Sequence, residues 1–290
     1  MVAETVGWRW VFLGVVGLAA AATAAMRPAL HGLADRPEPS PAATAARLAL
    51  ATVVATAVVG LDLSGRLGGA QRWVAAAVAL AVVVVAVRPL LPHGTLVVSR
   101  GLPAVIALRG VIAAAFFATE IYVPYLLQEH YGLAVWLSGA SLTVGALGWA
   151  AASQVQARLG ARLDHLTALR TGALLLVGGI GVVLGCAVLE LSPWLIGVAW
   201  VVTGGGMGLM FPRIGAFVLG SSAEDEQGAN SAAMSISDAL GAATAIAVSG
   251  LVFAAVGTSA ELAPFVAVFV MTSLLAGAGV LVSRRTAAVG

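Results

Sequence analysis

The sequence predicts an all-α, polytopic membrane protein of about nine transmembrane helices. Three observations carry that prediction. Of 290 residues, 60% are hydrophobic and 10% charged; the mean hydropathy is +1.02; and the apolar residues fall in continuous runs rather than alternating. A hydrocarbon core about 30 Å thick takes roughly 17–25 apolar residues of helix to cross. Lipid offers no hydrogen bonds, so a spanning backbone is either helical or closed into a barrel, and continuous runs exclude the barrel. With 35 glycines, close helix contacts are expected, because small side chains let backbones approach where the solvent is as apolar as the side chains.

The runs lie at residues 10–26, 47–64, 73–91, 102–127, 134–156, 170–189, 193–219, 230–254 and 264–282. The first helix therefore falls within 1–26. A signal peptide is the competing reading, with Arg9 ahead of the apolar stretch and small residues at Ala22 to Ala25. Pro28, Pro37, Pro39 and Pro41, with Asp35, Arg36 and Glu38, make 27–46 a wet linker. Residues 47–91 form a central helix pair. Pro89, Pro92, Gly94, Gly101 and Pro103 break the chain around a second linker, 92–101, and 102–290 holds a six-helix bundle.

Orientation is read from arginine, since the chain has no lysine. Alternating back from a C-terminus inside, Arg27, Arg36, Arg47, Arg88, Arg100, Arg109, Arg158, Arg162, Arg170, Arg213, Arg284 and Arg285 fall on the cytoplasmic side, and Arg9, Arg66 and Arg72 outside. Twelve against three places the N-terminus outside and the C-terminus in the cytoplasm. The single Cys186 lies in an apolar run, and His31, His93, His130 and His165 show no ligand spacing. No disulfide within the chain and no metal site are expected.

Four segments carry a resemblance: GWRWVFLGVVGL at 7–18, IYVPYLLQEHYGL at 121–133, TGGGMGLMFPRIG at 203–215 and EQGANSAAMSISDALG at 226–241. In this order they resemble the major facilitator superfamily, in its fourteen-spanning drug:proton antiporter branch, from the sixth helix onward. The resemblance implies the C-terminal half of a major facilitator fold plus three preceding helices. It also implies a bacterial inner-membrane exporter of small amphipathic or cationic compounds. The family's first five helices have no counterpart here, so the chain is expected to begin partway through a longer protein. A half cannot rock against a missing partner. The implied partners are the lipid bilayer, a small-molecule substrate and a separately encoded N-terminal half, with no nucleic acid. The alternative is a non-transporting membrane protein, either a truncated remnant or a partner subunit. No nucleotide-binding signature is present, so a proton gradient is the implied energy source and no cofactor is expected. No nucleophile, base and orienter gather at a water-accessible end, which argues against an enzyme.

Within the fourth helix, Arg109 and Glu120 lie eleven residues apart, within ~20° of one face and ~16 Å along the axis. A carboxylate in a span is expensive to keep ionised and marks a relay or a substrate contact. Glu120 is thus a candidate proton or cation site, against an interfacial carboxylate satisfied by an Arg or hydroxyl elsewhere. Arg109 reads as a pathway residue or as an anchor whose stem snorkels to the inner headgroups. Asp238 sits in a stripe of small and hydroxyl residues with Ser231, Ser235, Ala242, Ala245 and Ser249, available for coupling or for interhelical hydrogen bonding. Gly197, Gly204, Gly208 and Gly215 recur at spacings of 7, 4 and 7 on one face, and Pro212 interrupts the ladder. That face is either a gate hinge or static packing. Arg158, Arg162 and Asp164 resemble a degenerate copy of the family's cytoplasmic signature, in which such charges latch neighbouring helices; ordinary positive-inside charge is the alternative. Trp136, Trp149, Trp194 and Trp200 read as interface anchors or packing.

Overall fold

A computed structural model of the chain describes residues 8–30 and 41–287. Among them no strand occurs, and eight helices are long and apolar enough to cross a membrane. The protein is an all-α polytopic membrane protein. The first helix, α1 (Trp8–Leu30), belongs to a unit of its own, Met1–Ala45; its apolar stretch Leu13–Arg27 is shorter than the other eight. It continues beyond the expected boundary at residue 26, and α2 (Pro41–Ser64) begins earlier than residue 47. A proline is compatible with the first helical turn, where its missing N–H would be unpaired in any case. Most of the proline-rich linker, 31–40, lies outside the described residues.

From Ala46 onward the chain is one compact body. Helix α3 (Gly69–Val87) passes into a 3-10 turn, Arg88–Leu90, where Pro89 withholds the next backbone donor. Between the turn and α4 (Leu102–Glu129), Gly94 and Gly101 adopt φ of 88° and 83°, the left-handed side that glycine enters without steric cost. The segment is tied to the far end of the chain, since Gly101 N–H donates to Arg285 O at 3.1 Å.

Helix α4 is the most enclosed element. Ile106, Leu108, Ile112 and Leu126 are fully buried, because α8 (Gln227–Val256), α9 (Leu262–Ser283), α7 (Pro193–Gly220) and α5 (Val135–Leu159) all pack on it. Helix α7 runs between α5 and α6 (His165–Leu189), and α9 bridges α6 to α4. The outward faces stay apolar: Leu147, Leu174, Val198 and Leu274 are each more than half exposed. Such a surface is stable against acyl chains and costly against water.

Glycine sets the spacing in the middle of the bundle. A Cβ at Gly204 would strike Gly145 O, and one at Gly208 would strike Trp149 O, so α5 and α7 touch backbone to backbone. On the opposite side of α7, Gly206 lies against Gly172 O of α6. Gly110 and Gly241 make the same kind of contact between α4 and α8. Helices α2 and α3 are covered far less. They meet the bundle along α8, where Leu61 and Ala76 close on Leu251 and Ala247, and Val54 and Val83 sit by Leu240.

Candidate functional site

Charge inside the bundle is concentrated where α4, α8 and α7 meet. The Arg109 Nε–H donates to Asp238 Oδ1 at 2.9 Å, and Nη1 donates to the Phe211 carbonyl at 3.3 Å. The guanidinium also lies 3.3 Å from the centroid of the Phe211 ring, so its charge is met by a carboxylate, a carbonyl and a π face together. The side chains of Arg109 and Asp238 are 15% and 27% exposed. One turn away, Ser237 Oγ donates to Ile106 O at 2.8 Å, and beside it the Gly110–Gly241 contact brings the two backbones together. Without those glycines the crossing would be wider and the ion pair longer.

The pairing of Arg109 with Asp238 joins two residues that the sequence placed in separate roles. Asp238 does sit in a stripe of hydroxyls, but Ser235 and Ser249 bond carbonyls of their own helix, Ser231 and Ile246. Two hydroxyls reach across to α4: the neighbouring Ser237, and Ser249 of the stripe, which also shares a hydrogen bond with the Tyr122 side chain. Aromatic rings extend the site away from the pair. Phe211 meets Trp149 edge to face at 4.6 Å, Trp149 meets Phe116 at 5.5 Å, and Phe116 stacks on Trp200 at 4.9 Å. Trp149 and Trp200 are thus interior walls, whereas Trp136 and Trp194, 72% and 65% exposed, stand at the starts of α5 and α7. Phe211 is not singled out by the sequence, because an aromatic in an oily helix looks the same whether it faces lipid or a cation.

Glu120 is half-buried on α4 and has no ion pair or hydrogen bond to its side chain among the described residues. The same helix therefore carries one compensated charge and, three turns further on, one uncompensated charge. Pro124, four residues later, withholds the donor that would have met the Glu120 carbonyl.

The α7 candidates separate into two kinds. Gly204 and Gly208 are pressed into α5, while a Cβ at Gly197 or Gly215 would meet nothing within 4 Å. Pro212 lies inside a helix that runs unbroken to Gly220. It removes the N–H that would bond Gly208 O, and Ser153 Oγ of α5 donates to that carbonyl instead at 3.1 Å. The helix can remain continuous because its neighbour satisfies the freed group.

At the end of the bundle that carries the 160–164 turn, Asp164 caps α6, accepting from Thr167 N–H at 3.1 Å and Thr167 Oγ1 at 3.3 Å. The Thr167 backbone N–H holds the Asp164 carboxyl below the usual carboxylate range. Arg158 and Arg162 are exposed, and neither forms an ion pair among the described residues. The tie between neighbouring helices here comes from Arg213 of α7, which donates to Gln156 Oε1 at 3.0 Å and Gly160 O at 2.6 Å. It occupies the carbonyl end of α5, where a cation is favoured by the helix dipole.

Residues 1–246 match the Major Facilitator Superfamily. The chain belongs to that family. No curated protein matches it. Major facilitators are membrane transporters, so the interior charges and rings belong to a protein of transport class, a setting in which intramembrane ionisable groups mark substrate or ion paths.

Proposed function

We propose that this major facilitator chain supplies the C-terminal half of a proton-coupled exporter of small amphipathic or cationic compounds in a bacterial inner membrane. The observation that carries the reading is the contrast along α4: Arg109 is neutralised by Asp238, and Glu120 has no partner among the described residues. An unpaired carboxylate among apolar and aromatic walls can hold either a proton or an organic cation, and the two compete for it. A proton entering from the outer side displaces the cation there and is given up on the inner side as the next cation binds, which is the exchange an antiporter needs. The Arg109–Asp238 pair and the glycine contact below it hold α4 and α8 as a unit, so that the six helices α4–α9 move as one body. Alternating access then requires a second half moving against this one about a central site.

The test is pH-gradient-driven efflux of a cationic dye from proteoliposomes. These would contain the chain together with a major facilitator N-terminal half, or the chain by itself. The two-half assembly should extrude dye only with a proton gradient, and Glu120→Gln should abolish the gradient dependence. Full gradient-driven efflux by Glu120→Gln would remove the carboxylate from the mechanism. Efflux by the chain with no second half present would overturn the half-transporter reading.

A further inference from the structure

Outside the charged crossing, a cleft of about 480 Å³ lies between α3 and the bundle. Its volume lies in the ~300–1,000 Å³ range of sites that hold small molecules. Val84, Leu96, Ala107, Ala114, Leu240 and Leu275 are among its lining residues, and no charged side chain reaches it. Of its few hydroxyls, Thr95 and Ser237 are already committed to Pro92 O and Ile106 O. The interior is therefore suited to a hydrocarbon chain. The cleft runs from the 91–98 segment, at one end of the bundle, to Ala114, twelve residues into α4. At ~1.5 Å per residue that is ~18 Å, a little over half of a ~30 Å hydrocarbon core, or about one leaflet.

Its mouth is cationic. Arg88 directly follows the lining residue Val87, Arg100 lies two residues beyond the lining residue Val98, and Arg285 Nη1 donates to Val98 O at 3.3 Å. All three arginines are exposed, and none has a carboxylate partner among the described residues. An apolar slot one leaflet deep beneath a cluster of uncompensated guanidinium groups has the chemistry of a phospholipid turned outside in. From this juxtaposition we infer that the cleft is a binding site for an anionic phospholipid, with one acyl chain between α3 and the α4–α8–α9 face and the phosphate at Arg88, Arg100 and Arg285. Gly110, Gly241 and Ser237 line the same cleft. A seated acyl chain therefore buttresses the crossing that holds Arg109 against Asp238.

The experiment uses the purified full chain, delipidated in detergent and titrated by native mass spectrometry. The probes are phosphatidylglycerol, phosphatidylcholine of identical chains, and glycerol 3-phosphate as a headgroup without tails. Phosphatidylglycerol should bind at least ~10-fold tighter than phosphatidylcholine, and glycerol 3-phosphate should not compete. The triple variant Arg88→Gln, Arg100→Gln, Arg285→Gln should bind phosphatidylglycerol no better than phosphatidylcholine. Ala107→Leu, which fills the slot, should weaken both lipids; Leu96→Glu, at an exposed position on the rim, should weaken phosphatidylglycerol selectively and keeps the test open if the filled slot disturbs folding. Equal retention of the two lipids by the unaltered chain, or an undiminished preference in the triple variant, overturns the proposal. So does competition by glycerol 3-phosphate, which would make the site a soluble-anion site.

Discussion

At the scale of single residues, the Arg109–Asp238 pair should show the asymmetry of a partly desolvated ion pair. Removing one partner leaves the other charge in the bundle without compensation, whereas removing both leaves two neutral groups. Arg109→Gln and Asp238→Asn should each lower stability by about 1–3 kcal/mol, between the values for exposed and for buried pairs. The double variant should recover part of that loss in a thermal melt of the detergent-solubilised protein; strictly additive losses would mean the pair contributes nothing as a pair. Arg109 and Asp238 were both visible in the sequence as charges in apolar runs, yet their partnership was not. They are 129 positions apart, and periodicity along one helix carries no information about the register of another. Asp164 gives a different residue-scale test. Its folded carboxyl titrates below the usual range because the Thr167 N–H stabilises the charged form. A depressed folded value means the cap's contribution is complete above the unfolded value near ~4 and is lost as pH falls through the folded one. Exchange of the Thr167 amide, corrected for intrinsic rate, should accelerate as pH drops below about 4 in the unaltered chain. In Asp164→Asn, whose side chain does not titrate, that acceleration should be absent; an unchanged profile would place the cap elsewhere.

At the scale of elements, α7 shows what helical periodicity can and cannot reveal. The 7, 4, 7 spacing puts four glycines on one face of a regular helix. Only Gly204 and Gly208 are pressed into α5, however, because that helix lies against the middle of the face and leaves Gly197 and Gly215 open. A face is a property of one helix, and contact also depends on how far its neighbour runs alongside. Gly204→Ala and Gly208→Ala should each cost about 1–3 kcal/mol through overpacking against backbone, which cannot swing aside as a side chain can. Gly197→Ala and Gly215→Ala should leave the melting temperature unchanged or higher, since nothing stands within 4 Å and alanine is the better helix former. Equal destabilisation at all four would show that the whole face is packed, and a gain at Gly204 or Gly208 would show that the backbones are not in contact. In the sequence Pro212 belongs to a face that is either a gate hinge or static packing. With Ser153 covering the carbonyl it frees, the proline is accommodated inside a continuous helix held on two sides by glycine contacts.

For the whole molecule, the sequence was most informative because lipid imposes length and polarity on every span. Eight of the nine continuous apolar runs correspond to the eight membrane-length helices from α2 to α9, and the first lies in α1, whose apolar stretch is shorter. The association of those helices was not visible, because packing in lipid depends on the fit of small residues and a few polar ties rather than on hydrophobic contrast. The structure does sort the loops into two ends. Gly101 bonds Arg285 and Arg213 bonds Gly160, whereas Arg72 bonds Ala254 O and Tyr131 bonds Cys186 O. Arg88, Arg100, Arg158, Arg162, Arg284 and Arg285 flank the first set of loops, and the second set carries only Arg66 and Arg72. Excess arginine is retained on the cytoplasmic side during insertion, so the first set should face the cytoplasm. In a Cys186→Ala background, single cysteines at the exposed positions Ser192 and Thr258 should react with a membrane-impermeant maleimide added to right-side-out vesicles. Cysteines at Ser99 and Ser221 should react only after the vesicles are opened. The reverse pattern would invert the molecule and with it the direction assigned to proton entry. Ser192 and Thr258 on opposite sides would mean that α7 or α8 fails to cross, and the proposed reading of α4–α9 as one half of a rocking transporter would then fall.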